Sequence, residues 1–178
     1  AGLDIAWRNR KARAALRRPG LRDCTLLDKL CEAGRLGQKT GTGWYRYEPG
    51  GRTPLSDPAV EALILAHSRE QGFARRDIGD EEIVERCVVS MINESAKILA
   101  EGVAARPVDI DMVWLHGYGF PRWRGGPMFH ADQVGLDRIL DVVLRYRDRF
   151  GPDFWTPAPL LEELARSGGR FYPHENNP

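Results

Sequence analysis

An internal repeat is the feature that most constrains how this 178-residue chain can fold. Three blocks of the sequence recur with nearly the same spacing. The matching pairs are 1–4 with 134–137, 26–30 with 160–164, and Gly34 with Gly168. Blocks that share one spacing indicate a tandem duplication. We call the two repeated helical units copy one and copy two. The chain is expected to be a fragment that begins inside copy one and contains the end of copy one and all of copy two.

Helical periodicity and helix-stopping residues predict an all-α fold. The predicted helices cover residues 4–17, 24–33, 58–71, 80–101, a shorter stretch from Pro107, 136–150 and 157–167. Pro19 and Gly20 are expected to end the first of them. A short extended run is predicted at 44–47 and a Gly/Pro-rich turn at 117–127. The predicted domains are 1–52 (end of copy one), 53–79 (a linker with a helix) and 80–178 (copy two).

The helix over 80–101 carries the strongest signals. Asp80 can cap its start, and Gly102 follows its end. Apolar or small residues at helical spacing predict a stripe that faces the core. These residues are Val84, Cys87, Val88, Met91, Ser95 and Ile98.

Composition indicates an ordinary globular protein, with 42% hydrophobic and 29% charged residues. No apolar run approaches the roughly 20 residues of a membrane span, so no span is expected. Three cysteines without paired spacing (Cys24, Cys31 and Cys87) indicate small, partly buried reduced thiols. Because the chain has no signal region and does not end in a peroxisomal tripeptide, the sequence predicts a cytoplasmic protein.

The segment 1–22 is strongly basic, with seven basic side chains against one aspartate. They are Arg8, Arg10, Lys11, Arg13, Arg17, Arg18 and Arg22, against Asp4. Such a segment can bind nucleic acid or an anionic ligand. Because no nucleic-acid motif accompanies it, a helix face that docks on an acidic neighbour is favoured, and no nucleic-acid partner is expected.

Two loops suggest anion binding. Residues 34–43 resemble a phosphate loop, but Gln38 separates Gly37 from Lys39 and a helix precedes, so a tight turn is favoured. Residues 117–127 combine arginines, aromatics and glycines, and could hold an anion such as a CoA phosphate. The favoured alternative is a helix–turn–helix corner with packed aromatics and solvated arginines.

No residue is predicted to be catalytic, cofactor-binding or metal-ligating. The four histidines lack metal-ligand spacing and are expected to be structural or exposed. They are His67, His116, His130 and His174. Asn93 and Glu94 could contact a partner, but a hydrogen bond in helix packing is favoured.

Several segments together resemble the C-terminal domain of the 3-hydroxyacyl-CoA dehydrogenases. They are 2–4, 35–45, 92–94 with 101–102, 109–111, 117–121 and 125–128. The resemblance implies tandem helical units like the C-terminal domain of 6-phosphogluconate dehydrogenase. It looks closest to multifunctional β-oxidation enzymes of the peroxisomal bifunctional type and their bacterial relatives. A bacterial cytoplasm is the expected setting.

The same resemblance implies where the chemistry lies. An upstream Rossmann domain would bind NAD and supply a His–Glu pair, and an asparagine of copy one would hold the substrate oxygen. In copy two Glu85 occupies that asparagine position, so copy two would be degenerate and would cover copy one. The chain is then the helical portion of an NAD-dependent (S)-3-hydroxyacyl-CoA dehydrogenase. Its partners would be the upstream Rossmann and hydratase domains, and the parent's substrate an acyl-CoA. The alternative is a free-standing helical interaction module.

Overall fold

The computed structural model describes residues 2–16 and 24–172, which form two compact units, Ala1–Asp77 and Ile78–Pro178. Within the described residues the helices of unit 1 are α1 (Leu3–Ala12), α2 (Leu26–Glu32) and α3 (Pro58–Glu70). Those of unit 2 are α4 (Asp80–Ala100), α5 (Pro107–Gly117), α6 (Pro127–Val134), α7 (Leu136–Phe150) and α8 (Pro159–Ser167). The described residues contain isolated β-bridges but no strand, so the all-α prediction is confirmed.

Ion pairs join the helices of unit 1. Arg10 of α1 pairs with Asp28 of α2 at 3.0 Å, and Lys29 of α2 pairs with Glu70 of α3 at 2.5 Å. The helix α1 ends at Ala12 rather than near residue 17, and a 3-10 turn at Ala14–Leu16 follows it. The expected stop at Pro19 and Gly20 lies outside the described residues.

The repeat is visible in the helices. The pair α1 and α2 occupies the sequence positions that the repeat matches to α7 and α8. Both α2 and α8 are followed by a glycine with positive φ, Gly34 at 74° and Gly168 at 66°. Glycine adopts this left-handed conformation without steric cost, which is why it ends so many helices. The matched glycines therefore perform the same structural task in both copies.

The long helix α4 forms the centre of unit 2 and contacts α6, α7 and α8. Its buried residues are Val89, Ile92, Asn93, Ser95 and Ala96. The predicted stripe is therefore wrong in part: Ser95 is buried, but Val84 and Cys87 are exposed and Val88, Met91 and Ile98 are only half-buried. The stripe was predicted from the spacing of apolar residues alone. The face that is buried in the structure also includes the polar Asn93 and the small Ala96, where neighbouring helices pack against α4.

The start of α4 also differs from the prediction. Gly79 occupies the N-cap position with extended backbone, and no side chain caps the helix. Asp80, Glu81 and Glu82 lie in the first turn instead. Carboxylates there interact favourably with the positive end of the helix dipole, so Asp80 contributes by charge rather than as a cap.

The helix α6 was not predicted, because glycines and prolines obscure its start. Pro127 occupies the first helical turn, where its missing N–H costs nothing. The cap comes from another helix: the carboxylate of Asp111 on α5 accepts hydrogen bonds from the amides of Met128 (2.7 Å) and Phe129 (2.9 Å). A cap supplied by a residue 17 positions away leaves no local sequence signature.

Candidate functional site

The glycine-rich loop at 37–43 is closed on itself. The amides of Gly37, Thr40, Gly41 and Gly43 all donate to nearby backbone carbonyls, at 2.8–3.0 Å. A phosphate or dinucleotide loop needs such amides free to donate to the ligand. These four amides are used within the loop, and the favoured interpretation as a tight turn agrees with its hydrogen bonds.

Lys39 of this loop forms an ion pair with a side chain of α1. Its Nζ lies 2.6 Å from Oδ1 of the buried Asp4, and Arg8 lies 3.5 Å from the same carboxylate. The hydrogen bond from Lys39, with the charge of Arg8, lowers the pKa of Asp4 below its usual value of 3.8. The basic residues of α1 are thus partly used inside unit 1.

The Asp4–Lys39 pair gives a pH-dependent prediction. A carboxyl whose pKa is lowered on folding stabilises the fold above its ordinary pKa, and this stabilisation disappears as pH falls through the folded pKa. We expect Lys39→Met to lower stability against urea between about pH 5 and 7, and the difference from wild type to shrink below about pH 4. Lys97→Met, which removes an exposed pair with Glu94, is the control. If the stability difference between Lys39→Met and wild type stays constant into strongly acidic buffer, the substitution acts through lost packing and not through the ion pair with Asp4.

The corner at 117–127 departs from the predicted packing of its aromatics. Phe120 is buried, but Tyr118 and Trp123 are exposed. The guanidinium of Arg124 stacks on the Trp123 ring at 4.6 Å and its Nη1 lies 3.2 Å from Nε2 of His130. Burial and the nearby Arg124 lower the pKa of His130. The corner therefore presents aromatic rings to solvent rather than hiding them.

A groove of about 600 Å³ runs along the first half of α4 in unit 2. Its apolar lining is Val84, Val88, Val89, Val134, Ile139 and Val142. Its polar lining is Asp80, Glu81, Glu85, Arg124, His130 and Arg138. Glu85, at the position that the resemblance gives to a substrate-binding asparagine, thus lines this groove.

The carboxylate of Glu85 is already engaged. Its Oε1 accepts hydrogen bonds from Nη2 of Arg145 and from the Tyr146 hydroxyl, both at 2.5 Å. Burial, and then this carboxylate, raise the pKa of Tyr146, while the bond to Glu85 raises the pKa of Arg145. An ionised carboxylate has no proton to donate to a developing oxyanion. The geometry of Glu85 is therefore that of an ion pair between α4 and α7.

The remaining buried polar residues hold the fold of unit 2. Asn93 donates to the Thr156 carbonyl at 2.9 Å and accepts from the Ala158 amide at 2.8 Å, so it fixes the entry to α8 and the predicted packing role is confirmed. Asp132 accepts from the amides of Phe171 and Tyr172. Across residues 2–16 and 24–172, no three His, Cys, Asp or Glu residues converge as metal ligands.

The cysteines and the other histidines differ in exposure. Cys24 and Cys87 are exposed, Cys31 is buried, and all three are free thiols. His67 is buried with Nδ1 3.9 Å from Glu70, and His116 is exposed. His174 lies outside the described residues. His130, predicted to be structural or exposed, is half-buried and lines the groove of unit 2.

A match to a protein family, over most of the chain, gives the class of protein. The family profile described as "3-hydroxyacyl-CoA dehydrogenase, C-terminal domain" matches residues 1–47 and 83–171. The chain belongs to this family. The two matched ranges contain the stretches that the repeat pairs, 1–34 and 134–168.

Individual relatives support the same family assignment. The peroxisomal bifunctional enzymes of Homo sapiens and Danio rerio are 43% and 42% identical over 94% of this chain, which covers 25% of their length. The fatty acid oxidation complex subunit alpha of Shewanella sp. (strain MR-4) is 34% identical over 82% of the chain and is 20% covered. The chain therefore spans about a quarter of the length of these curated relatives.

Solved structures share the fold. The dehydrogenase part of multifunctional enzyme 1 from C. elegans aligns with a TM-score of 0.66 at 20% identity, over 91% of this chain and 36% of that one. The 3-hydroxybutyryl-CoA dehydrogenase from Escherichia coli K12 aligns with a TM-score of 0.65 at 18% identity, over 94% of this chain and 50% of that one.

The predicted cytoplasmic location is contradicted. Four relatives of 41–43% identity are named peroxisomal bifunctional enzymes. The prediction relied on the last residues of this sequence, and a chain that spans a quarter of its relatives carries no such information about targeting. In the part of the chain that the structure describes, no helix has the length and apolar character needed to cross a membrane.

Proposed function

We propose that the chain is the helical C-terminal portion of an NAD-dependent (S)-3-hydroxyacyl-CoA dehydrogenase that acts in fatty-acid β-oxidation. The family match over residues 1–47 and 83–171 carries this proposal. The names of the relatives support a multifunctional parent and a peroxisomal setting. The resemblance stated above implies hydratase and Rossmann domains in that parent, outside this sequence. These domains are the proposed partners, and an acyl-CoA is the proposed substrate of the parent.

In this proposal the residues of the chain build a scaffold and perform no step of the reaction. NAD would accept hydride from the 3-hydroxyl carbon when bound to the parent, and its nicotinamide site would lie on the Rossmann domain. The amides of Gly37, Thr40, Gly41 and Gly43 donate within their own loop, which supports a turn rather than a cofactor site there. Glu85 is likewise engaged by Arg145 and Tyr146. Copy two would therefore be degenerate and would support copy one.

The alternative function is a free-standing helical module that binds another protein. The exposed aromatic residues of the corner at 117–127 favour an interaction role. A family assignment that covers both copies favours the dehydrogenase, because it accounts for the repeat as well as for the helices.

The isolated chain is expected to lack dehydrogenase activity. We expect no 3-hydroxyacyl-CoA-dependent formation of NADH, followed by its absorbance, above a buffer control. We also expect no shift of the melting temperature with NAD, because a ligand stabilises only a fold that binds it. An intact relative assayed in parallel is the positive control. Turnover of 3-hydroxybutyryl-CoA by the purified chain would contradict the proposal.

A further inference from the structure

The 3-10 turn Arg122–Arg124 is joined to α6 by a contact between two side chains. Nη1 of Arg124 lies 3.2 Å from Nε2 of His130, six positions further along the chain. Backbone hydrogen bonds hold both residues in place. The Arg124 amide donates to the Pro121 carbonyl at 2.9 Å. The His130 amide donates to the Gly126 carbonyl, also at 2.9 Å. The contact therefore connects a turn and a helix whose backbones are both fixed.

The chemistry of arginine determines the protonation state of His130 in this contact. A guanidinium has only donors and keeps its positive charge, so Nε2 of the imidazole has to accept the hydrogen bond. An accepting Nε2 carries no proton, and the ring is therefore neutral with its proton on Nδ1. The other tautomer and the protonated ring would each direct an N–H at the N–H of the guanidinium.

The helix α6 packs against α4, α5, α7 and the turn, and each of them brings charge near His130. Carboxylates of α4 and a guanidinium of α7 line the same groove as His130, and a carboxylate of α5 accepts from the first amides of α6. These groups are Asp80, Glu81 and Glu85, then Arg138, and then Asp111. Burial, followed by the charge of Arg124, lowers the pKa of His130 below its usual value of 6.5. The charge of Arg124 therefore opposes protonation more strongly than the carboxylates favour it.

We propose that the contact between Arg124 and His130 is an acid-sensitive clasp, which holds the turn on α6 while His130 is neutral and opens when His130 takes up a proton. Protonation converts Nε2 from an acceptor into a donor and places a second positive charge beside the guanidinium. Arg124 then leaves the imidazole, and its stacking on the Trp123 ring at 4.6 Å changes with it. Asp80 and Glu81 line the same groove and offer the released guanidinium new partners. The clasp goes beyond the proposed dehydrogenase role and does not depend on it.

The clasp contributes stability at neutral pH and loses it in mild acid. A histidine whose pKa is lowered on folding binds its proton more readily in the unfolded chain, so the folded state loses stability as pH falls. The contribution of the clasp is complete above about pH 6.5 and disappears as pH falls through the lowered pKa of the folded state.

Nuclear magnetic resonance of the imidazole nitrogens in the 178-residue chain tests the proposal. At about pH 7.5 we expect the ring of His130 to carry its proton on Nδ1 and to have an unprotonated Nε2. The exposed His116 is the internal reference. On titration to about pH 5, the indole N–H signal of Trp123 is expected to shift with the same midpoint as the His130 ring. The tautomer is read on the unaltered protein, so this result does not depend on whether a variant folds.

Substitutions separate the clasp from burial alone. Arg124→Gln removes the opposing charge and is expected to raise the midpoint of the His130 titration. Arg138→Gln removes an exposed guanidinium from the lining of the same groove and is the matched control, with an unchanged midpoint. His130→Gln keeps an acceptor but has no proton to take up, so the Trp123 signal should become insensitive to pH between about 5 and 7.

Three results would overturn the proposal. The first is a proton on Nε2 of His130 at neutral pH. The second is a His130 midpoint in Arg124→Gln equal to that of wild type. The third is a shift of the Trp123 signal that persists in His130→Gln, because another group would then control the turn.

Discussion

Replacing Asp111 by alanine is expected to lower the free energy of unfolding of unit 2 by about 3–5 kcal/mol. The carboxylate accepts from the amides of Met128 and Phe129 and, at 2.8 Å, from the hydroxyl of Tyr172. Asp111 is 2% exposed, so water cannot easily replace these bonds. The substitution leaves three donors without their acceptor and removes the cap of α6.

The measurement is urea unfolding followed by far-UV circular dichroism. Asp141→Ala, which removes an exposed aspartate from α7, is the matched control and is expected to change stability by less than about 0.5 kcal/mol. Asp111→Asn should fall between the two, because an amide oxygen still accepts while the NH2 group meets donors. Equal stability of Asp111→Ala and the control would show that the bridge between α5, α6 and Tyr172 is not needed.

The electrostatics of this bridge carry a cost as well. Burial raises the pKa of Asp111, although its three hydrogen bonds act in the opposite direction. Burial and the neighbouring Asp111 likewise raise the pKa of Tyr172. A carboxyl whose pKa is raised on folding favours the folded state more as pH falls, so this group opposes the acid sensitivity expected from Asp4.

The helices were predictable from sequence because their signals are local. Apolar spacing, Gly34, Gly168 and Pro107 place α2, α8 and α5 without knowledge of the rest of the chain. The helix α6 was missed because its cap, Asp111, lies on another helix. The buried face of α4 was misplaced for a related reason: which face is covered depends on α6, α7 and α8, and Asn93 is buried because segment 156–158 satisfies its amide.

The candidate site divides in the same way. The tight turn at 37–43 was predictable, since a phosphate loop requires a residue order that Gln38 interrupts. The partners of Glu85 were not, because Arg145 and Tyr146 lie 60 and 61 residues further along the chain. The exposure of Trp123 was also unpredictable. Whether an aromatic side chain in a loop is buried or exposed depends on the backbone conformation of the turn that carries it, here the 3-10 turn Arg122–Arg124.

The central claim, that this chain supplies the helical scaffold of a 3-hydroxyacyl-CoA dehydrogenase, is tested most directly by a chimera. The chain replaces the matching quarter of the human peroxisomal bifunctional enzyme, to which it is 43% identical. Truncation of that quarter is expected to reduce 3-hydroxyacyl-CoA-dependent NADH formation about 100-fold, because misplacing the reacting groups by about 1 Å lowers the reaction rate by that factor. An unrelated helical domain in the same place is the control.

The account predicts that the chimera recovers activity within about tenfold of the intact enzyme, since scaffold residues of the same fold restore the geometry without contributing catalytic groups. The unrelated domain should recover none. A folded chimera that is no more active than the truncated enzyme would contradict the claim that this chain is a dehydrogenase scaffold.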